Sequence, residues 1–308
     1  MSTSTFSSSA TRAASAGRVP VSGARLAGAG RRRRALRPGR VVLYLVLVVL
    51  ALAYVFPFLI NVATSFKTES EATASPLGLV PQTFSTAAYA KLFGASSFPL
   101  WMRNSVVVTV VVTAGRVLFD SMAGYALARL PFRGRGVVYA LLIAVMAVPG
   151  VVLLIPKFLV INQLGIYDSY AGLIIPLLCD AAGIFIMKGF FESVPDSIEE
   201  QARVDGAGTW RIFFSIVLPM SVPAMVTITI LSFQGSWNEL SHFIVASRSP
   251  GLVTLTKGVA QLSAGSLGQG NQYPLKLGAA LIMTIPVAVL FFVFQRRIMD
   301  TTGGAVKE

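Results

Sequence analysis

Six stretches of this chain are apolar over about 20 residues, the length an α-helix needs to cross ~30 Å of hydrocarbon. They fall at residues 41–63, 104–127, 137–161, 170–190, 214–233 and 275–294. Inside a bilayer every backbone polar group needs a partner within the protein, which limits spanning structures to helices and closed barrels. A transmembrane barrel is written as alternating segments of ~10 residues, and this chain has none. The expected fold is all-α and polytopic, with six transmembrane helices. Only 13% of the residues are charged and the mean hydropathy is +0.70, whereas soluble domains carry about 25% charged residues.

The formal net charge of +13 would suit nucleic acid, but its placement points to a membrane. Arg31, Arg32, Arg33, Arg34, Arg37 and Arg40 directly precede the first apolar run. Residues 1–40 are rich in Ser, Ala, Gly and Arg without periodicity, and read as a disordered basic cytoplasmic tail. Residues 41–308 then form the transmembrane domain. The first apolar run is too long for a signal-peptide core and no cleavage pattern follows it, so it reads as an uncleaved anchor. With the N-terminus inside, inner segments hold 18 Lys and Arg and outer segments seven, Arg116 lying within a span. That bias places both termini on the cytoplasmic side.

Between the fourth and fifth spans, residues 195–219 read PDSIEEQARVDGAGTWRIFFSIVLP. Asp196 and Glu199 have capping-box spacing, as do Ser197 and Glu200. Acidic residues there also complement the positive end of a helix dipole, so a short helix is expected over 197–204. Gly206 breaks it and readily takes positive φ. Thr209 is placed to cap a second helix carrying Trp210, Ile212, Phe213 and Ile216, which Pro219 ends or kinks. The charge count puts this two-helix element in the cytoplasm.

Glu200, Ala202, Asp205-Gly206-Ala207 and Ile216-x-Leu218-Pro219 stand at the spacing of the EAA motif, and the loop resembles the coupling loop of ABC-importer permeases. Gln201 departs from the pattern, which usually has alanine there. The run AGYALARLPFRGR at 123–135 resembles the end of the second core span of sugar-uptake permeases. SFQGSWNE at 232–239 resembles their fifth-span ending, and TGGAVK at 302–307 resembles the C-terminus of maltose-type members. Over residues 41–308 the chain is similar to binding-protein-dependent ABC permeases of the carbohydrate subfamily, the smaller six-span type. That resemblance implies a type I importer permease in a bacterial plasma membrane, importing a sugar or oligosaccharide. It implies a heterodimer with a second permease, two ATPase subunits holding ATP and Mg, and an extracytoplasmic sugar-binding protein. It assigns Glu200, Ala202, Asp205, Gly206 and Ala207 to ATPase coupling, and no cofactor to this chain.

Other residues have more than one reading. Arg116 and Asp120, four apart on one face of the second span, read as a structural ion pair or as pathway groups. Asp180, with no charged neighbour at three or four residues, reads as pathway lining or an interhelical hydrogen-bonding group. Trp237, Asn238 and Glu239 are candidate sugar contacts, through stacking and hydroxyl binding, or Trp237 anchors the interface. Cys179 is the single cysteine and reads as a buried inert thiol. His242, the single histidine, reads as a loop residue and leaves no multi-histidine metal site. Prolines 149, 156, 176, 223 and 286 fall inside spans, as kinks or as breaks that mark a pathway. No phosphate-cradling G-x-x-x-x-G-K-[ST], G-x-S-x-G or H-E-x-x-H pattern occurs, so energy for transport must come from a partner. The alternatives are a permease for an amino acid, peptide or phosphate, or a secondary transporter or membrane enzyme. For the last class Arg116, Asp120 and Asp180 are the candidate intramembrane groups.

Overall fold

In a computed structural model, residues 38–94, 96–265 and 272–304 are described. The tail at 1–37, with its expected disorder, and residues 305–308, with the last part of the 302–307 run, lie outside them. The described residues fall into two units divided between Ala51 and Leu52. In the first, helix α1 (Pro38–Ser65) begins, and from Val41 to Ala51 its side chains are exposed and, Tyr44 apart, aliphatic. In the second α1 ends, followed by α2 (Glu69–Ala74), α3 (Ala87–Gly94), α4 (Phe98–Arg129), α5 (Arg135–Met146) and α6 (Leu154–Gln163). Then come α7 (Tyr170–Ile174), α8 (Ala181–Ser193), α9 (Asp196–Val204), α10 (Thr209–Ile212), α11 (Leu218–Met220) and α12 (Val222–Trp237). Helices α13 (Ser241–Ala246), α14 (Leu255–Ser263) and α15 (Tyr273–Gly304) complete it. No strand occurs among the described residues.

Three helices are long and apolar enough to cross a membrane unaided: α1, α4 and α15. The other three expected spans are bent pairs. Residues Arg135–Met146 and Gly150–Gln163 meet at 104°, Tyr170–Leu177 and Ala181–Ser193 at 40°, and Thr209–Met220 and Val222–Trp237 at 79°. The expected span at 214–233 is thus corrected: its first part turns away at Ser221, and the straight segment is Val222–Trp237. Proline explains two of these breaks, since it supplies no N–H and crowds the preceding turn. Pro149 precedes the bend after α5, and Pro223 opens α12. Pro156 and Pro286 lie within α6 and α15 and break neither.

Helix α4 is the axis on which the second unit is built. It crosses α8 so closely that a Cβ on Gly124 would sit 2.8 Å from Met187 Cβ and 2.9 Å from Lys188 N. On the facing side, a Cβ on Gly183 would overlap Asp120 Oδ2 outright. Small residues permit such approach where helices pack without a hydrophobic driving force between them. Three apolar clusters are arranged along α4. One joins Phe98 and Trp101 to Leu92, Trp237, Leu255 and Ala279. A second joins Val108 and Val112 to Leu173, Leu177 and Phe243. The third joins Tyr125 and Ala128 to Met187, Phe191, Ala202, Ile212 and Phe213, and so places residues 195–219.

Candidate functional site

The loop helix α9 ends in a Schellman motif. Gly206 has φ +80°, its N–H bonds Arg203 O at 3.0 Å, and the Ala207 N–H bonds Ala202 O at 2.9 Å. Those two bonds close the helix end and bring the residues at both ends of the turn together. Ala202 is buried and Ala207 packs against the same cluster. Three of the five motif residues therefore shape the turn. The other two, Glu200 and Asp205, are exposed, as is Gln201. The expected bend at Gly206 is present. The expected caps are not: α9 starts at Asp196 after Pro195, with no side-chain cap, and Gly208 rather than Thr209 precedes α10. Asp196 is instead engaged by Arg129, 67 positions earlier. The second helix also differs, because residues Phe213–Val217 are π-helical between α10 and α11.

Glu199, beside the exposed Glu200, points inward and is 2% exposed. Its Oε2 accepts from Arg203 Nη2 at 2.9 Å and from the Tyr125 hydroxyl at 3.2 Å. Its Oε1 lies 3.4 Å from Arg129 Nε. Arg129 also donates to Asp196 and to the carbonyls of Phe191, at 2.5 Å, and Val194. In the sequence Arg129 figures as an inside charge and as part of the run at 123–135, and Glu199 as a helix-capping group.

The intramembrane groups are placed differently from the ion-pair reading. No ion pair joins Arg116 and Asp120. Arg116 Nε donates to Leu177 O at 2.6 Å, and Asp120 Oδ1 accepts from Asp180 N at 3.0 Å. The break between α7 and α8 leaves backbone groups without helical partners, and both α4 side chains turn to that break. Asp180 caps α8, accepting from Gly183 N at 3.2 Å. Cys179, beside it, is exposed, not buried.

Trp237 is 2% exposed. Its ring stacks on Phe233 with centroids 5.8 Å apart, and its Nε1 donates to Met283 O at 3.0 Å. Its stacking face is therefore already taken by the protein. Asn238 is exposed at the end of α12 and donates to Gln234 O. Glu239 accepts from His242 N at 2.9 Å at the start of α13. His242 is in α13 and 1% exposed, not in a loop, with its Nε2 donating to Gly172 O at 3.1 Å. Burial, with Lys157 adding to it, holds the imidazole below its ordinary 6.5.

Near His242, Asp168 ties the turn after α6 to the segment after α13. Its carboxylate accepts from the N–H groups of Arg248 at 2.8 Å and Ser249 at 2.9 Å, and from the Ser249 hydroxyl. Those bonds, the hydroxyl's foremost, hold its pKa below the ordinary 3.8. A depressed native pKa gives a contribution fully present above 3.8 and lost as pH falls through the native value. Amide exchange at Arg248 and Ser249 is therefore expected to lose protection below that point, and Asp168→Asn is expected to abolish the pH dependence.

Among the described residues no cluster of three metal-ligating groups occurs. What the geometry defines is a helical membrane protein whose exposed polar loop is fixed to the ends of its spans. A family profile described as "Binding-protein-dependent transport system inner membrane component" matches residues 121–298. The arabinooligosaccharides transport system permease protein AraQ of Bacillus subtilis (strain 168) is 32% identical, over 87% of this chain and 96% of AraQ. The diacetylchitobiose uptake system permease protein NgcG of Streptomyces coelicolor is 30% identical, over 90% of each chain. Among solved structures, a chain of a bacterial ABC transporter involved in the import of the acidic polysaccharide alginate superposes with a TM-score of 0.75. It is 27% identical, over 85% of this chain and 97% of that one. The chain belongs to the binding-protein-dependent transport system inner membrane components, with the type I importer fold. It is the membrane-embedded permease subunit of an ABC importer, a family that works with an ATPase and a substrate-binding protein.

Proposed function

We propose that this permease carries a sugar or oligosaccharide, and that residues 195–219 dock on the ATPase. The docking reading rests on the division within α9 and its turn: Ala202, Gly206 and Ala207 make the shape, while Glu200, Gln201 and Asp205 face outward. A partner meets a preformed surface, which lowers the ordering cost of association. The complex contains a second permease, two copies of the ATPase with ATP and Mg, and an extracytoplasmic binding protein. Both termini lie on the ATPase side. The excess of Lys and Arg on the inner segments supports this orientation. The sugar reading rests on the names of the relatives and on the runs at 123–135 and 232–239.

The test is uptake by the assembled transporter in liposomes, with arabinotriose, diacetylchitobiose, an alginate trisaccharide, an amino acid mixture and phosphate offered in turn. ATP-dependent uptake of an oligosaccharide supports the reading; uptake of phosphate or amino acid alone replaces it. Glu200→Lys is expected to release the ATPase on co-purification while the permease still inserts. Gly206→Pro is expected to do the same, since proline holds φ near about −65° where this turn needs +80°. Normal uptake in both variants would refute docking through this loop.

A further inference from the structure

Glu199 and Glu200 are neighbours on one short helix with opposite environments, and the buried one belongs to a network that docking does not require. Arg129, the last residue of α4, reaches the end of α8 and the start of α9 with one side chain. It donates to Phe191 O, which also accepts the Val194 N–H, and to Val194 O, the carbonyl of the residue that ends α8. It pairs with Asp196 at the start of α9 and with Glu199 one turn on. Tyr125, a turn earlier on α4, bonds the same Glu199 and packs its ring on Phe191 and Phe213, with centroids 5.7 and 5.1 Å away. A guanidinium offers several donors in a fixed plane, which suits one cation serving several acceptors, whereas an ammonium is a point charge.

We propose that Arg129 and Glu199 are a positioning pair that locks the loop helix to the ends of α4 and α8, so that the three move as one lever when the loop is displaced. This rests on the docking function of the loop. Glu199 itself touches no ATPase; it transmits through Arg129 and Tyr125. The two glutamates then have separable roles, contact for Glu200 and transmission for Glu199.

Pulsed electron paramagnetic resonance on the assembled transporter tests this, in a Cys179→Ser background. Spin labels go on Val204, the exposed end of α9, and Arg133, just beyond α4. In the parent, the label distance is expected to stay the same without nucleotide and with ATP and vanadate. In Glu199→Gln the distribution is expected to about double in width, as a segment freed from its buried contacts opens locally, while the ATPase still co-purifies. Arg129→Lys is expected to behave likewise, since it keeps the charge but not the fork. Glu192→Gln, which removes the outlying pairs with Lys188 and Arg135 and touches neither Arg129 nor Glu199, is expected to match the parent. A parent distance that shifts with nucleotide, or a Glu199→Gln distribution as narrow as the parent's, would overturn the proposal. Loss of the ATPase in Glu199→Gln, as in Glu200→Lys, would also overturn it, by making Glu199 a contact. Absence of oligosaccharide uptake by the parent would instead strike the sugar reading, which the distance measurement does not use.

Discussion

Gly124→Val is expected to cost the protein more stability than any single change on its exposed surfaces. A Cβ at Gly124 meets Met187 Cβ at 2.8 Å, Lys188 N at 2.9 Å and Ile184 O at 3.2 Å. Two of those three atoms are α8 backbone, so no rotamer change relieves the overlap and the helices must separate. Separation also moves Asp120 away from Asp180 N and Gly183, a turn along the same crossing. Overpacking costs about 1–3 kcal/mol and occasionally more. At roughly 2–4 °C per kcal/mol for a domain of this size, a loss near the top of that range lowers the melting temperature by about 6–12 °C. The control is Gly189→Val, on α8, where an added Cβ would meet nothing within 4 Å; it is expected to leave the melting temperature nearly unchanged. Thermal loss of the monodisperse peak on size-exclusion chromatography in detergent measures both. Equal shifts in the two variants would show that the close crossing contributes nothing.

The parts of this fold that are legible in the sequence are those governed by local rules. Hydropathy locates six apolar segments because the bilayer sets one length for all of them. Gly206 marks the turn in the loop because only glycine adopts its φ readily. The capping reading of Asp196 fails because its partner, Arg129, lies on another helix. Spacing at i, i+4 pairs Arg116 with Asp120, but it carries no information about the break in the α7–α8 span that attracts both. Trp237 looks available for a sugar because its Nε1 partner, Met283, is 46 positions away, although Phe233 stands at i, i+4 to its ring. His242 looks like a loop residue for the same reason, its partner Gly172 being 70 positions away. The acidic face of α9 is legible as a motif, but the inward turn of Glu199 is not, since adjacent glutamates are alike until the helix is packed.

The largest polar effect is expected at Asn104, which is fully buried at the start of α4. Its Nδ2 donates to Gly251 O at 2.8 Å and Val253 O at 2.9 Å, and its Oδ1 accepts from the Tyr170 hydroxyl at 2.6 Å. One amide thus joins α4, the segment before α14 and the start of α7, and the neighbouring Ser105 hydroxyl accepts from Leu255 N at 2.7 Å. In Asn104→Ala two carbonyls and a hydroxyl lose this partner inside the protein, and each buried group left unsatisfied costs about 1–3 kcal/mol. Asn104→Asp is expected to be worse, although it is nearly the same size. It keeps the acceptor for Tyr170 but turns an anion toward two carbonyl oxygens in a buried site, where an uncompensated charge costs about 3–5 kcal/mol. The order wild type, then Ala, then Asp in melting temperature is the signature of the donor role. If Asp is as stable as wild type at neutral pH, the two carbonyls are not held by this amide. If lowering the pH toward the ordinary carboxylate range restores part of the Asp variant's loss, the penalty is the charge, because protonation converts the anion to a donor for one of the two carbonyls.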